Sequence, residues 1–367
     1  MARTVLIAAG GTGGHLFPAE ALALALAARG WHVHLATDHR VEVYGHAFPA
    51  EEVHYLSSAT ITRQPAAAVK AVAALGVGFV QAHLLLRRVR PAVAVGFGGY
   101  PTVPPMLAAA TAGVPTVLHE QNAVLGRANR FLAPRVTRIA TSFAKVGGAE
   151  ALAARTVQTG NPVRPAVREA AAVPYPGRQS GSPFRLLVFG GSQGARFFSD
   201  TMPATVALLG KELQVQLAIT QQARAEDVAR VRQAYDLLGV KAELAPFFTD
   251  MPARIAAAHL VVARSGASTC AELAVIGRPA ILVPLPHSLD NDQKANATVL
   301  AAAGGGWMIE QAELTPTRLA DEIARRMNDP ASLAVAAAGA KAQGRPDAAE
   351  RLADVVEQVA ARPKAGA

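Results

Sequence analysis

Short runs of β-branched and aliphatic residues alternate with longer alanine- and leucine-rich stretches along most of the chain. The first run, TVLIAA (4–9), passes through a glycine cluster into an apolar stretch of helical length over about 16–29, and WHVHLAT (31–37) follows. AVAVGF (92–97), PTVLHE (115–120) and VTRIAT (136–141) continue the series, each separated from the last by a helix-length segment. Strand, helix and strand repeated in this way predict a parallel sheet covered on both faces.

Near residue 160 the periodicity stops. GNPVRPAVREAAAVPYPGRQSGSPF (160–184) is rich in proline, glycine and serine, which marks a linker. The opening pattern then returns in FRLLVFGGSQGARFFSD (184–200), again a strand, a glycine turn and a helix start. LQVQLAIT (213–220), HLVVARSGASTCAELA (259–274) and RPAILVPLP (278–286) extend it. The chain therefore reads as two doubly wound domains, with ligands expected at the carboxyl ends of their strands. The predicted boundaries are 1–160 for the first domain, 161–184 for the linker and 185–345 for the second domain. Residues 346–367 carry an amphipathic helix, DAAERLADVVEQVAA (347–361), expected to pack back on the first domain.

A length of 367 residues suits two domains, and hydrophobic residues at 51% supply two cores. Aromatic residues are only 5%, so Ala, Val and Leu must do the packing. The single cysteine, Cys270, excludes an internal disulfide and suggests a reducing compartment. No segment reaches the ~18 uninterrupted apolar residues of a spanning helix. The best candidate, AVAALGVGFVQAHLLL (71–86), is broken by Gln81 and His83. The N-terminal apolar run meets glycines at once and reads as a first strand rather than a signal peptide, so a soluble, cytosolic protein is expected. A formal charge of +9 points to anionic partners. Nucleic acid has the least support, because no arginine–aromatic interleaving, zinc-finger spacing or ribonucleoprotein motif is present.

The glycine cluster GGTGGH (10–15) bears on which anion. A nucleotide P-loop needs Lys-Ser or Lys-Thr after its last glycine, and His15-Leu16 stands there instead. A dinucleotide fingerprint fits Gly11-Thr12-Gly13 and Asp38, but its third glycine position holds Leu16. A tight turn without a ligand explains one glycine, not four in five residues. His15 falls in the first turn of the predicted helix, where backbone N–H groups and the dipole favour anions and disfavour imidazolium. A neutral histidine beside a bound diphosphate suits a general base that activates a hydroxyl, the alternative being a histidine that only hydrogen-bonds within the loop.

GGSQG (190–194) matches the nucleophile elbow of α/β-hydrolases, with Asp250 and His287 downstream in a workable order. Such hydrolases have one sheet, however, and this chain restarts its fold at 184, so Ser192 fits better as a hydrogen-bond donor to phosphate. DND (290–292) reads as helix capping rather than a metal motif. His32 and His34 alternate on a strand without partners at zinc spacing and read as structural. In ARSGASTCAELAVIGRPAILVPLPHSLDNDQKANA (263–297) a strand ends at Arg264-Ser265-Gly266 and a helix begins near Thr269. Glu272 is expected in that helix's first turn, where a carboxylate can accept from a ribose diol. Gln293 and Asn296 offer amides suited to sugar hydroxyls.

GGTGGHLFPA, GFGGYPTVPP (96–105), HEQNAVLGRAN (119–129), TGNPVR (159–164), GGSQGA, ARSGASTCAEL and DNDQKANA occur together in this order. The set resembles the MurG family, bacterial N-acetylglucosaminyltransferases that complete lipid II for peptidoglycan. The resemblance runs from residue 5 to about 300. It implies the GT-B fold, two Rossmann-like doubly wound α/β domains whose parallel sheets face a cleft. It implies transfer of GlcNAc from UDP-GlcNAc to the muramic acid 4-hydroxyl of lipid I, with inversion and without a metal or other cofactor. Thr12, Gly13, Gly14 and Asn122 would face the donor from the first domain. Arg164, Ser192, Phe248 (through its backbone, at uracil), Ala267, Ser268, Thr269, Cys270, Ala271, Glu272, Gln293 and Asn296 would hold UDP-GlcNAc. His15 would be the catalytic base, and Tyr100, His119 and Glu120 would line the acceptor side.

Three segments depart from the family pattern: Asp292 replaces a frequent histidine, SSATITRQP (57–65) replaces an Arg-Gly-Lys-Gly loop, and TQQARAED (220–227) lacks a glycine. A lipid-linked acceptor also implies work at the cytoplasmic face of the bacterial plasma membrane, beside other cell-wall enzymes. Val69, Val72, Leu75, Val80 and Leu84, with Lys70, Arg87, Arg88 and Arg90, form a stretch suited either to an anionic membrane surface or to a core helix with a solvated basic end that covers the sheet.

Overall fold

The computed structural model describes residues 3–10, 13–39, 48–60, 64–178, 181–191 and 195–361, and it divides into two units, Met1–Arg164 with Arg345–Ala367, and Pro165–Gly344. In the first unit the strands are β1 (Thr4–Ala8), β2 (His32–Thr37), β3 (Glu52–Tyr55), β4 (Val93–Gly96), β5 (Thr116–Glu120), β6 (Arg138–Thr141) and β7 (Thr156–Gln158). They form one sheet in the order β3-β2-β1-β4-β5-β6-β7, parallel throughout. Helices α1 (Gly13–Ala27), α2 (Pro65–Val89), α3 (Val103–Thr111) and α4 (Arg127–Leu132) connect them. Val5, Ile7, Val33, Leu35, Val93 and Val95 face one core, while Leu6, Ala8, Ala36, Ala94 and Leu118 face the other. That alternation follows from the period of two along a strand buried on both sides.

The second unit begins with α5 (Pro165–Ala170) and then runs β8 (Phe184–Phe189), α6 (Ala195–Leu208), α7 (Lys211–Gln214), β9 (Leu217–Gln222), α8 (Ala225–Leu238) and β10 (Lys241–Ala245). It continues through α9 (Met251–Ala257), β11 (Leu260–Ala263), α10 (Ala267–Ile276), β12 (Ala280–Leu282), α11 (Asp292–Ala302), β13 (Gly306–Met308), α12 (Pro316–Asn328) and α13 (Pro330–Gln343). Its parallel sheet has the order β10-β9-β8-β11-β12-β13. In each sheet the order reverses beside the first strand, between β1 and β4 and between β8 and β11. Connections there leave on opposite faces, which opens a crevice at the strands' carboxyl ends.

The last helix, α14 (Ala348–Ala360), belongs to the first unit. Leu352, Val355, Val356 and Val359 are buried with Leu22 and Leu26 of α1. At about 1.5–3 kcal/mol for each large aliphatic side chain, this packing holds α14 more firmly than its exposed ion pairs do. Those pairs join Arg29 to Asp354 at 2.7 Å and to Glu357 at 2.8 Å, and Trp31 Nε1 donates to Glu357 at 3.0 Å.

Three expectations change. Helix α1 starts at Gly13, not near 16, because the glycines themselves enter its first turn. The run LQVQLAIT is strand only from Leu217. Ahead of it, α7 buries Gln214, whose Nε2 donates to the carbonyls of Val206 and Leu209 at 2.9 and 2.7 Å and closes the end of α6. The segment 161–184 is not a bare linker. It contains α5, whose Val167 is fully buried, and its Val173 and Pro174 carbonyls accept from Arg278.

Candidate active site

In the first unit three loops at strand carboxyl ends meet around His15. After β1 the chain enters α1, and His15 is its third residue, so its N–H lies among those that no earlier turn satisfies. After β4, Gly98 and Gly99 adopt φ of 86° and 78°, in the left-handed region that side chains avoid. The His15 ring lies against them: a Cβ on Gly98 would come 3.4 Å from its Cε1, and one on Gly99 would come 3.4 Å from its Cδ2. Thr102 Oγ1 donates to the Gly98 carbonyl at 2.6 Å and fixes that turn. After β5, Gln121 Oε1 lies 3.3 Å from His15 Nδ1.

His119 and Glu120 lie just before Gln121 and are buried, at 0% and 1% exposure. His119 Nε2 is 3.0 Å from the Gly160 carbonyl, and burial pushes its pKa down to about 4, so the ring is neutral. Glu120 accepts from Asn122 N at 2.9 Å, Asn122 Nδ2 at 3.2 Å, Gly126 N at 3.0 Å and Asn129 Nδ2 at 2.8 Å. Burial raises its pKa against those bonds, yet every partner is a donor, so the geometry calls for the ionised carboxylate. Expected on the acceptor side, both residues instead spend their polar atoms inside the chain, shaping the loop that carries Gln121 and Asn122. Tyr100 is half-buried beside the Gly98–Gly99 turn. Arg164 places its guanidinium 4.1 Å from the Phe17 ring on α1. Gly13 and Gly14 open α1, and among the described residues no atom beyond the helix's own backbone and the adjoining residues lies within 4 Å of a Cβ built on Gly14. Thr12 lies outside the described residues.

In the second unit the open feature is the start of α10. Its N-cap is Gly266, no side chain among the described residues caps it, and its first turn holds no acidic residue. The N–H groups of Ala267, Ser268 and Thr269 head the helix, as an anion site requires. The Ser268 hydroxyl is buried there without a hydrogen-bond partner among the described residues. Arg264, its pKa lowered to about 10 by burial, ties the loop after β11 to that after β12 through the carbonyls of Val283 and Pro284, both at 3.2 Å. Phe248 follows β10, with its ring 4.1 Å from the Arg254 guanidinium and its own peptide groups unbonded among the described residues. Gln293 Oε1 accepts from Leu285 N at 3.0 Å, which leaves its amide NH2 for other partners. Ser192 lies outside the described residues.

Four expectations need correction here. Glu272 is the sixth residue of α10, in its second turn, so the helix terminus does not act on it directly. Cys270 faces the core, with its N–H donating to the Gly266 carbonyl and its thiol pushed up to about 12 by burial, so it offers nothing outward. Asn296 is fully buried and donates to the Ser265 carbonyl at 3.2 Å, which makes it a brace for that turn rather than a sugar contact. Asn291, at positive φ, stands at the N-cap of α11 without a side-chain cap bond among the described residues, so the capping expected of DND falls to Asp292. Asp292 accepts from the next N–H, that of Gln293, at 2.7 Å.

Residues 5–141 match the glycosyltransferase family 28 N-terminal domain, and residues 185–352 match that family's C-terminal domain. A protein of Mesorhizobium japonicum named UDP-N-acetylglucosamine–N-acetylmuramyl-(pentapeptide) pyrophosphoryl-undecaprenol N-acetylglucosamine transferase is 58% identical, over 99% of this chain and 97% of its own length. The chain belongs to the MurG family of glycosyltransferases. A Brucella suis protein of the same name is 57% identical over 97% of this chain and 94% of its own. The crystal structure of Acinetobacter baumannii MurG has a TM-score of 0.77 and 26% identity, covering 98% of this chain and 100% of that one. The fold is GT-B.

This MurG-family chain carries features that its sequence did not disclose. Gln121 lies within HEQNAVLGRAN, but only the fold brings it to His15. His34, read as structural because it has no partner at zinc spacing, meets Glu52 and His54 through the pairing of β2 with β3, their ligand atoms within 4.8 Å. Arg88 donates to Glu52 at 2.8 Å and to His54 Nδ1 at 3.1 Å. The proton of a neutral His54 then sits on Nε2, aimed at His34 Nδ1 3.0 Å away, so a shared proton joins the two rings.

Helix α2, in turn, is long and apolar enough to cross a membrane, contrary to expectation. It nevertheless buries Ala71, Ala82, Leu85 and Leu86, while Val69, Val72, Val77, Val80 and Leu84 are more than half exposed. Leu75, expected on that outer face, is half-buried.

Proposed function

We propose that this chain moves N-acetylglucosamine from UDP-GlcNAc to the 4-hydroxyl of the muramic acid unit of lipid I, giving lipid II. The observation that carries this reading is the near-full-length identity to relatives named for that transfer. The geometry around His15 supports a mechanism. Nε2 of neutral His15 takes the proton of the acceptor hydroxyl as that oxygen bonds to C1 of the sugar. The C1–O bond to UDP breaks, the electron pair leaves with the diphosphate, and C1 inverts. The open first turn of α10, with Ala267, Ser268 and Thr269, receives the diphosphate, and such preorganised donors are worth several kcal/mol where charge develops. Ser192, Gly13, Gly14 and Asn122 add donors on the phosphates and sugar. Glu272 takes the ribose, the Phe248 peptide takes uracil, and Gln293 and Arg164 complete the donor side. Tyr100 and Ala271 flank the bound substrates.

Lipid I stays in the bilayer, so the enzyme works at the cytoplasmic face of the plasma membrane. The exposed apolar stripe of α2, with Lys70, Arg87 and Arg90 beside it, suits an anionic surface. The test is a substrate screen on the purified protein. UDP release from UDP-GlcNAc that depends on a lipid I analogue is the expected result. Ester hydrolysis labelled at Ser192, or nicotinamide reduction, in place of sugar transfer would overturn the reading.

A further inference from the structure

We propose that Gln121 is the positioning residue that sets which nitrogen of His15 holds the proton, through a one-way hydrogen-bond relay anchored on two backbone carbonyls. The inference rests on the reading of His15 as the base.

Carbonyl oxygens only accept, so they fix the polarity of whatever touches them. His119 Nε2 lies 3.0 Å from the Gly160 carbonyl and must therefore carry a proton. A neutral imidazole has one proton, so His119 Nδ1 is an acceptor. Gln121 places its amide nitrogen 3.1 Å from that Nδ1 and 3.2 Å from the His119 carbonyl. Both are acceptors, and turning the amide over would set its oxygen against them. The Gln121 oxygen is thereby directed to His15 Nδ1, 3.3 Å away, and since it can only accept, Nδ1 must be the protonated nitrogen. Neutral His15 is then left with Nε2 as its basic nitrogen.

The direction matters because in water a neutral histidine side chain prefers its proton on Nε2, which would blunt a base acting through that atom. The relay reverses the preference, and the surroundings hold it reversed. His119 is fully buried and kept neutral, so it does not acquire a second proton that would turn the amide over. Asn129 Nδ2 donates to the same His119 carbonyl at 3.1 Å and keeps that oxygen in place. The far anchor, Gly160, is itself fixed by its N–H donating to the Thr141 carbonyl at 3.1 Å. Four residues at the ends of β5, β6 and β7, with Asn129 of α4, thus determine one proton.

The test is nitrogen NMR of full-length protein labelled at histidine, with His15→Ala supplying the assignment. Wild type is expected to show His15 with a protonated, pyrrole-type Nδ1 and an unprotonated, pyridine-type Nε2. Gln121→Met, similar in length but without the amide, is expected to shift His15 toward the Nε2–H form. It should lower kcat about tenfold or more while the UDP-GlcNAc Kd stays within about twofold. The double variant His15→Ala/Gln121→Met should turn over no more slowly than His15→Ala alone, because the two act as a unit. A wild-type His15 protonated on Nε2, or additive losses in the double variant, would overturn the relay while leaving the base reading intact. The base reading fails separately if His15→Ala retains kcat. The wild-type spectrum decides the tautomer even if Gln121→Met does not fold.

Discussion

Arg278 donates to the carbonyl of Val173 at 3.0 Å across 105 residues of sequence. The same guanidinium reaches the carbonyls of Pro174, Ala256, Ile276 and Gly277, with no carboxylate partner among the described residues. Burial lowers its pKa to about 10, so it stays charged at neutral pH while satisfying five carbonyls from three segments. Arg278→Lys keeps the charge but cannot reproduce that planar fork. It is expected to cost about 3 kcal/mol, since stranded carbonyls and a poorly bonded buried charge add up. Urea denaturation would read this directly. An unchanged midpoint would mean that the 171–174 segment is held by other contacts.

His15→Ala is expected to lower kcat about 10²–10⁴-fold, the usual range for a general base, with little change in donor affinity. Steady-state kinetics with calorimetric UDP-GlcNAc binding separate the two effects. Collapse of binding with kcat preserved would make His15 part of the phosphate cradle instead.

Glu272→Gln should weaken UDP-GlcNAc binding by roughly 1–3 kcal/mol, the scale of charge-assisted bonds to a diol. Its place in the second turn of α10 leaves a direct contact, not the helix dipole, as the reason. A 2′-deoxy donor should bind wild type more weakly but differ little in the variant. Equal sensitivity in both proteins removes Glu272 from the ribose.

Acid should destabilise the first unit through His119. Its pKa is depressed from an ordinary 6.5 to about 4, so between those values the unfolded chain binds the proton and the folded chain does not. Stability therefore falls as pH drops through this window, by roughly 3 kcal/mol for a shift of that size. Denaturation midpoints at pH 7.5 and pH 4.5 should differ less in His119→Gln than in wild type. Identical slopes would place the acid sensitivity elsewhere.

The proposed contact of α2 with a membrane is tested by charge reversal. Arg88 is engaged by Glu52, so Lys70, Arg87 and Arg90 are the positions to reverse. Changing all three to Glu should weaken sedimentation with anionic vesicles by about two orders of magnitude, at ~1 kcal/mol per residue. Turnover of a short-chain soluble acceptor should not change. Undiminished vesicle binding would exclude this face of α2.

The strands were legible because burial on both faces leaves short apolar runs that little else in the chain imitates. Val93–Gly96 and Leu260–Ala263 could be located from such runs alone. What the sequence hid depends on side-chain direction. Asn296 and Cys270 stand in the right motif but turn inward, and nothing in the position of Gln121, between Glu120 and Asn122, points at His15. A linear string does not say which of two neighbouring amides faces a core. The His34–Glu52–His54 cluster stayed hidden for a related reason, because strand pairing created it from residues without a spacing signature.

The return of α14 to the first unit governs the order in which this protein can be completed during synthesis. A chain that has emerged only through residue 344 lacks Leu352, Val356 and Val359, so the α1 face they cover stays exposed. The second unit, continuous in sequence, can close first, while the unit begun earliest waits for the final helix to leave the ribosome. Until then the nascent first unit presents bare apolar surface, the kind of surface that chaperones bind.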